Sequence, residues 1–196
     1  MRAIPREGRQ LNATQASYLA GFLDGDGSIH FQLVKQKEYR FGYYIRASVS
    51  FSQTTPARRG LEQIQALVGG GYVRDRGTGM SDLVITSRPL LMRLLAEMEE
   101  FIVFKREQVR RALWLLPQIA PRMCPEEFLR VAREVDAFSS LNYSKRRRIS
   151  ATDVERHLYS KGLKAPVTTS LIVQQGDETP LFNNTSLITR RPLETG

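Results

Sequence analysis

From Ser28 onward apolar and polar residues alternate: Ile29, Phe31 and Leu33 fall on one side, and His30, Gln32, Val34 and Gln36 on the other. A period of two marks a strand with one buried face. Upstream, Asn12 followed three residues later by Gln15 reads as a capping box, opening a helix over about residues 13–25. Residues 37–42 turn the chain. A second strand follows, with Ile45, Ala47, Val49 and Phe51 alternating against Tyr44, Arg46, Ser48, Ser50 and Ser52. Between about Ala57 and Val68 the period becomes helical, with Leu61, Ile64, Leu67 and Val68 as the apolar side, and Gly69-Gly70-Gly71 ends it. Two shorter strands, Tyr72–Arg76 and Asp82–Thr86, flank a turn containing Gly77 and Gly79. Past Pro89, stripes recur at helical spacing: Leu90, Leu91, Leu94, Leu95 and Met98, then Val109, Ala112, Leu113 and Leu116, then Phe128, Leu129, Ala132 and Val135. A last helix covers about residues 151–158.

This order predicts an α+β fold, an antiparallel four-stranded sheet packed on helices in α-β-β-α-β-β-α order. Beyond Ala165, Thr, Asn, Gly and Pro become frequent. Residues 1–165 therefore read as one domain and residues 166–196 as a C-terminal extension.

Charge narrows the partners. With 29 basic against 20 acidic residues the formal charge is +9, which favours an anionic partner. Most of the basic residues are Arg, whose planar fork matches phosphate and guanine; a GC-rich genome gives the same bias. A single Cys, Cys124, excludes an internal disulfide framework, and with two His it gives no basis for a structural zinc site. No apolar run is long enough to span a membrane, and the basic start lacks the apolar core of a signal peptide.

The chemistry concentrates in nine residues, Leu19-Ala20-Gly21-Phe22-Leu23-Asp24-Gly25-Asp26-Gly27. Ser17, Gly21 and Gly25 lie four apart and share a helix face. Each Gly inside a helix costs ~1 kcal/mol relative to Ala, so two on one face call for close approach of another helix. Asp24 and Asp26 fall at the negative end of the helix dipole, where a carboxylate is unfavourable unless a cation offsets it. Metal ions held where two helices meet would satisfy both features. Asp24-x-Asp26-x-Ser28 also opens like a calcium loop, but Ile29 and Lys35 stand where such a loop needs Gly and Glu.

These nine residues resemble the signature of the LAGLIDADG homing endonucleases, with Phe22, Leu23 and Gly25 in place of Leu, Ile and Ala. Tyr18 before them and Ser28-Ile29 after them fit as well. The likeness spans about residues 12–163 and is nearest to single-motif members encoded in organellar ribosomal-RNA introns. It implies the element order already read from the pattern. No second copy of the motif occurs in the chain, so a twofold partner is needed. The homodimer would cross the two first helices through Ser17, Gly21, Asp24 and Gly25.

The resemblance also implies hydrolysis of a phosphodiester with divalent cations, Mg²⁺ with Mn²⁺ as a substitute, held by Asp26 and the backbone carbonyl of Gly25. Around the metals the family places a Gln ending strand 2, here Gln53, and a Lys before a later helix, here Lys105. A basic residue belongs shortly after the Gln. Ungapped alignment puts Ala57 there, which leaves Arg58, one residue later, as the candidate, with Arg59 behind it.

Double-stranded DNA is the implied partner. The polar strand positions His30, Gln32, Gln36, Tyr44, Arg46, Ser50, Arg74 and Arg76 should line one side of the sheet, and an antiparallel ribbon fits the major groove. A nine-residue strand reaches ~30 Å at ~3.3 Å per residue. That covers ~9 base pairs, so a dimer reads roughly 20 of a pseudo-palindromic site. Lys145 and Arg148, in Lys145-Arg146-Arg147-Arg148, are phosphate-contact candidates. The reading is a site-specific double-strand endonuclease of intron homing that leaves 3′ overhangs. An RNA-splicing maturase and a non-catalytic DNA-binding regulator are the alternatives on the same fold. The expected location is the DNA-containing compartment of the host, an organelle such as a chloroplast or the prokaryotic cytoplasm.

Overall fold

The computed structural model describes residues 10–142 and 149–163. Helix α1 (Ala13–Asp26) opens on the capping box: Asn12 Oδ1 accepts the Gln15 N–H at 2.9 Å and Gln15 Oε1 accepts the Asn12 N–H at 3.1 Å. With no linker, α1 runs into strand β1 (Gly27–Lys35). Gly27 makes this abrupt exit feasible, because a Cβ there would lie 2.6 Å from Leu23 Cα. A turn over residues 36–42 leads to strand β2 (Tyr43–Thr54). One 3₁₀ turn later, α2 (Arg58–Val68) ends on Gly69, whose φ of 81° closes the helix in the left-handed conformation.

Strands β3 (Tyr72–Asp75) and β4 (Met80–Ile85) complete the sheet, in the order β1-β2-β4-β3 with every pairing antiparallel. Helices α3 (Arg88–Met98), α4 (Arg106–Leu115), α5 (Pro125–Phe138) and α6 (Ala151–Ser160) follow. The expected element order holds, and the boundaries shift by at most two residues. Strand β1 ends at Lys35, so Gln36 opens the turn, its N–H bonded to Gly42 O.

The sheet has two unlike faces. Ile29, Phe31, Val49, Phe51, Leu83 and Ile85 are buried on one face, and they join one core with Leu19, Ala20 and Leu23 of α1 and the apolar stripes of α3, α4 and α5. The helices thus form a layer on one side only, and the other face of the sheet carries polar side chains. Among the described residues, no helix is long and apolar enough to cross a membrane.

Candidate functional site

The last turn of α1 carries two carboxylates with different surroundings. Asp24 is half-buried. Its carboxylate accepts the backbone N–H groups of Val103 (2.7 Å), Phe104 (3.1 Å) and Lys105 (2.9 Å). Asp24 thereby pins the segment leading into α4. Lys105 Nζ returns the contact by donating to Asp24 O at 2.5 Å, which caps one of the helix-end carbonyls left without intrahelical partners. Lys105 is in this way anchored beside the helix end.

Asp26 is exposed. Gln53 Nε2 donates to Asp26 Oδ2 at 3.1 Å. The register explains this pairing: Gly27 sits opposite Phe51 in an antiparallel pair, so Gln53 reaches two residues beyond the N-terminal end of β1, level with the last turn of α1 and on the same face as Phe51. That is the face against which α1 packs. Asp26 Oδ1 and the carbonyl of Gly25 in the last helical turn are oxygen donors of the kind a hard divalent cation takes. Among the described residues no group of three or more His, Cys, Asp or Glu side chains comes together. One chain thus offers a single carboxylate and a carbonyl rather than a closed cage.

Asp24, Gly25, Asp26, Gln53 and Lys105 are gathered at one helix end. Arg58 is directed elsewhere: its Nε donates to Glu62 at 2.9 Å and its Nη1 to Asp75 at 2.7 Å. Those two carboxylates hold the guanidinium charged and raise its pKa further. Arg59 is exposed on α2. Asp75 also accepts from Ser81 Oγ at 2.6 Å, so Arg58 ties the start of α2 to the β3–β4 hairpin.

On α1, Ser17, Gly21 and Gly25 are exposed on one face as the spacing required. A Cβ added at Gly21 or Gly25 meets nothing within 4 Å. Packing inside the chain therefore gives no reason for either glycine.

The polar sheet face is a groove of about 460 Å³. His30, Gln32, Arg46, Ser50, Arg74 and Arg76 line it as expected. Burial pushes the His30 imidazole below its ordinary pKa, leaving it neutral at pH 7 with one donor and one acceptor. Arg46 Nη2 donates to Gln32 Oε1 at 2.5 Å across the β1–β2 pair. Tyr44 lies beyond the groove, at the hairpin end, stacked on Tyr39 with ring centroids 4.6 Å apart. Gln36 also lies at that end. Lys145 and Arg148 lie outside the described residues.

Asp82 is the residue that sequence reasoning missed. It sits on β4 opposite Arg74 and Ser52 and is 1% exposed. Arg76 donates to both of its oxygens, through Nε at 2.6 Å and through Nη2. Ser52 Oγ donates to it at 2.7 Å and Arg74 Nη2 at 3.3 Å. Burial raises the Asp82 carboxyl pKa, but the hydrogen bonds from Arg76, Ser52 and Arg74 and the Arg76 charge outweigh it and hold it below the ordinary carboxylate value. The signal was present as one acid on a mostly apolar strand, at the parity that faces Arg74 and Arg76.

A helix end with one exposed carboxylate, an open glycine face on the same helix and a basic groove on the polar face of the sheet fit a nucleic-acid enzyme. Comparison with known proteins gives the same class. The LAGLIDADG endonuclease family model matches residues 19–101. The DNA endonuclease I-CreI of Chlamydomonas reinhardtii is 34% identical over 144 residues, covering 73% of this chain and 88% of that protein. I-CvuI of Chlorella vulgaris is 30% identical over 146 residues, covering 74% and 91%. The crystal structure of the homing endonuclease I-CvuI with its target in the presence of Ca superposes with a TM-score of 0.73 at 29% identity, over 76% of this chain and 96% of that one. The chain belongs to the LAGLIDADG endonuclease family.

Proposed function

We propose that two copies of this chain form a site-specific endonuclease. It cuts double-stranded DNA at a long pseudo-palindromic target by Mg²⁺-dependent hydrolysis, with Mn²⁺ as a substitute, and leaves 3′ overhangs, as in intron homing. Its place of action is the DNA-containing compartment of the host, an organelle or the prokaryotic cytoplasm. The observation that carries this reading is the exposed Asp26, held by Gln53 at the end of a helix whose glycine face has no partner within the chain. I-CvuI, a relative, forms a complex with its target in the presence of Ca and with the I-CreI target in the presence of Mg, where that DNA is not cleaved.

Asp26 and the Gly25 carbonyl would hold the cation, which when bound supplies an activated water and neutralises charge developing on the phosphate. Gln53 fixes the rotamer of the Asp26 carboxylate by donating to one oxygen, leaving the other free. Asp24 sets the position of Lys105 through three backbone N–H groups. The Lys105 ammonium has three donors and gives one to Asp24 O, so the others are available to phosphate oxygens. The groove side chains read base edges: Arg74 and Arg76 suit guanine, and Gln32 suits adenine. Arg58 supports the hairpin that presents Arg74 and Arg76. Ser17, Gly21, Asp24 and Gly25 form the crossing point of the dimer, and Lys145 and Arg148 contact phosphates.

The test is a selected pool of duplex targets incubated with Mg²⁺ and either the native protein or Asp26→Asn. Discrete metal-dependent cuts by the native protein, lost in Asp26→Asn while binding survives, are expected. Tight binding without cutting by the native protein would overturn the nuclease reading in favour of a regulator or maturase.

A further inference from the structure

The loop pinned by Asp24 carries an unusual burden. Phe104 is 85% exposed and Val103 is 66% exposed, although both backbone N–H groups are fixed by the Asp24 carboxylate. A rigid segment therefore holds an aromatic ring out from the surface. Elsewhere on the same chain a groove of about 530 Å³ opens between α1 and α2, lined by Tyr18, Gly21, Phe22, Gly60, Leu61 and Ile64 among others. Its floor is open at Gly60, where an added Cβ meets nothing within 4 Å. Gly60 lies inside α2, where glycine is disfavoured relative to alanine, and nothing in its own chain requires it.

Knob and hole lie on opposite flanks of the glycine face of α1. Successive helix residues advance by ~100°. Measured from Gly21, Tyr18 and Phe22 turn ~60° and ~100° one way, while Ser17 and Asp24 turn ~40° and ~60° the other. The groove, which Ser17 and Gly21 of the glycine face also line, extends from that face toward Tyr18 and Phe22, and the Asp24-bound loop flanks the face on the other side. A twofold axis through that face exchanges the flanks, which is the condition for an isologous contact.

We propose that Phe104 of each chain seats in the groove beside Gly60 of the other, a reciprocal knob and hole that locks the two first helices in one register. The occupant is a second copy of this chain, so the inference rests on the homodimer reading above. Phe104 lies next to Lys105, and docking it also fixes Lys105 relative to the partner's helix end. The contact recurs twice per dimer, so each substitution counts twice.

The test measures dimer dissociation by sedimentation equilibrium of the full chain, native and substituted, with circular dichroism to verify the fold. Phe104→Ser removes the knob. Gly60→Phe fills the hole, and an added Cβ at Gly60 meets nothing within 4 Å of its own chain. Each single variant is expected to raise the dissociation constant ~100-fold or more. Combining them places a large residue opposite a small one again and is expected to recover at least about tenfold of that loss. A dimeric native protein with both single variants dimerising as tightly, or a double variant no better than the sum of its parts, would overturn the knob and hole while leaving the endonuclease reading intact. A native chain that remains monomeric, alone and on DNA, would overturn the homodimer and this contact together.

Discussion

Two carboxylates of this molecule have opposite surroundings. Asp82, in the sheet groove, is buried and surrounded by donors: Arg76, Arg74 and Ser52 fill its oxygens. Asp26, at the end of α1, is exposed, with a neutral amide from Gln53 on one oxygen. A carboxylate whose lone pairs are filled by its own chain is a structural strut, and it orients the arginines that compensate it. One left exposed at the negative end of a helix dipole is unfavourable unless a cation offsets it, which suits it to the metal-holding role proposed above. The charge is the same, and the number of donors decides the role.

Substitution should separate the two roles. Asp82→Asn weakens the bonds to two arginines and removes the charge that balances them. Breaking a buried ion pair costs about 3–5 kcal/mol, and because both arginines stay half exposed the expected loss is nearer roughly 2 kcal/mol by urea unfolding. Asp26→Asn, losing no buried partner, should leave the melting temperature within about 2 °C. Equal destabilisation by the two would remove the distinction.

Asp24 tests the middle case. Asp24→Ala leaves three backbone N–H groups to solvent and releases the segment before α4. About 1–2 kcal/mol of stability should be lost. Single-turnover cleavage should fall about 10–100-fold through misplaced Lys105. Lys105→Met should lower cleavage at least as far with little loss of stability. A stability loss in Asp24→Ala without any loss of cleavage would show that the loop does not position Lys105.

Acid sharpens the comparison further. The Asp82 carboxyl has a lowered pKa in the folded chain, so the unfolded chain takes up its proton first as pH falls. The stability this group contributes is complete above the ordinary carboxylate value of about 3.9. It is lost as pH falls from there through the lowered folded value. Urea unfolding at steps from about pH 5 to pH 3 should therefore show a steeper loss for the native protein than for Asp82→Asn. Parallel curves would show that the ion pair does not couple to folding. The smallest effect belongs to Arg58→Ala. Its two ion pairs are surface-exposed, and its guanidinium is turned from Asp26. Cleavage should fall less than in Lys105→Met, and a loss as large would place Arg58 at the reacting phosphate.

Most of the fold was legible because its elements bury one face each. The alternation of Ile29, Phe31 and Leu33 and the stripe Leu61, Ile64 and Val68 report burial directly. The motif was legible because two glycines at helical spacing and two acids at the helix end need an unusual reason. What stayed hidden depended on partners distant in sequence. Asp82 reads as the one acid of a mostly apolar strand until the β4 register sets it against Arg74 and Ser52. Arg58 reads as a basic residue near Gln53 until Asp75, seventeen residues away in sequence, claims it. Asp24 reads as an interface residue, yet its carboxylate is spent on a loop about eighty residues downstream. Composition and spacing give the type of each group, and only the register gives its neighbours.

The central claim is that one chain carries half of a cutting site. It is tested most directly by the stoichiometry of the protein on its selected target, measured by sedimentation, together with mapping of the cuts on both strands in Mg²⁺. Two chains per duplex with one cut in each strand, related by the symmetry of the site and staggered to leave 3′ overhangs, is the expected result. A single chain per cut duplex, or cutting confined to one strand, would contradict the account.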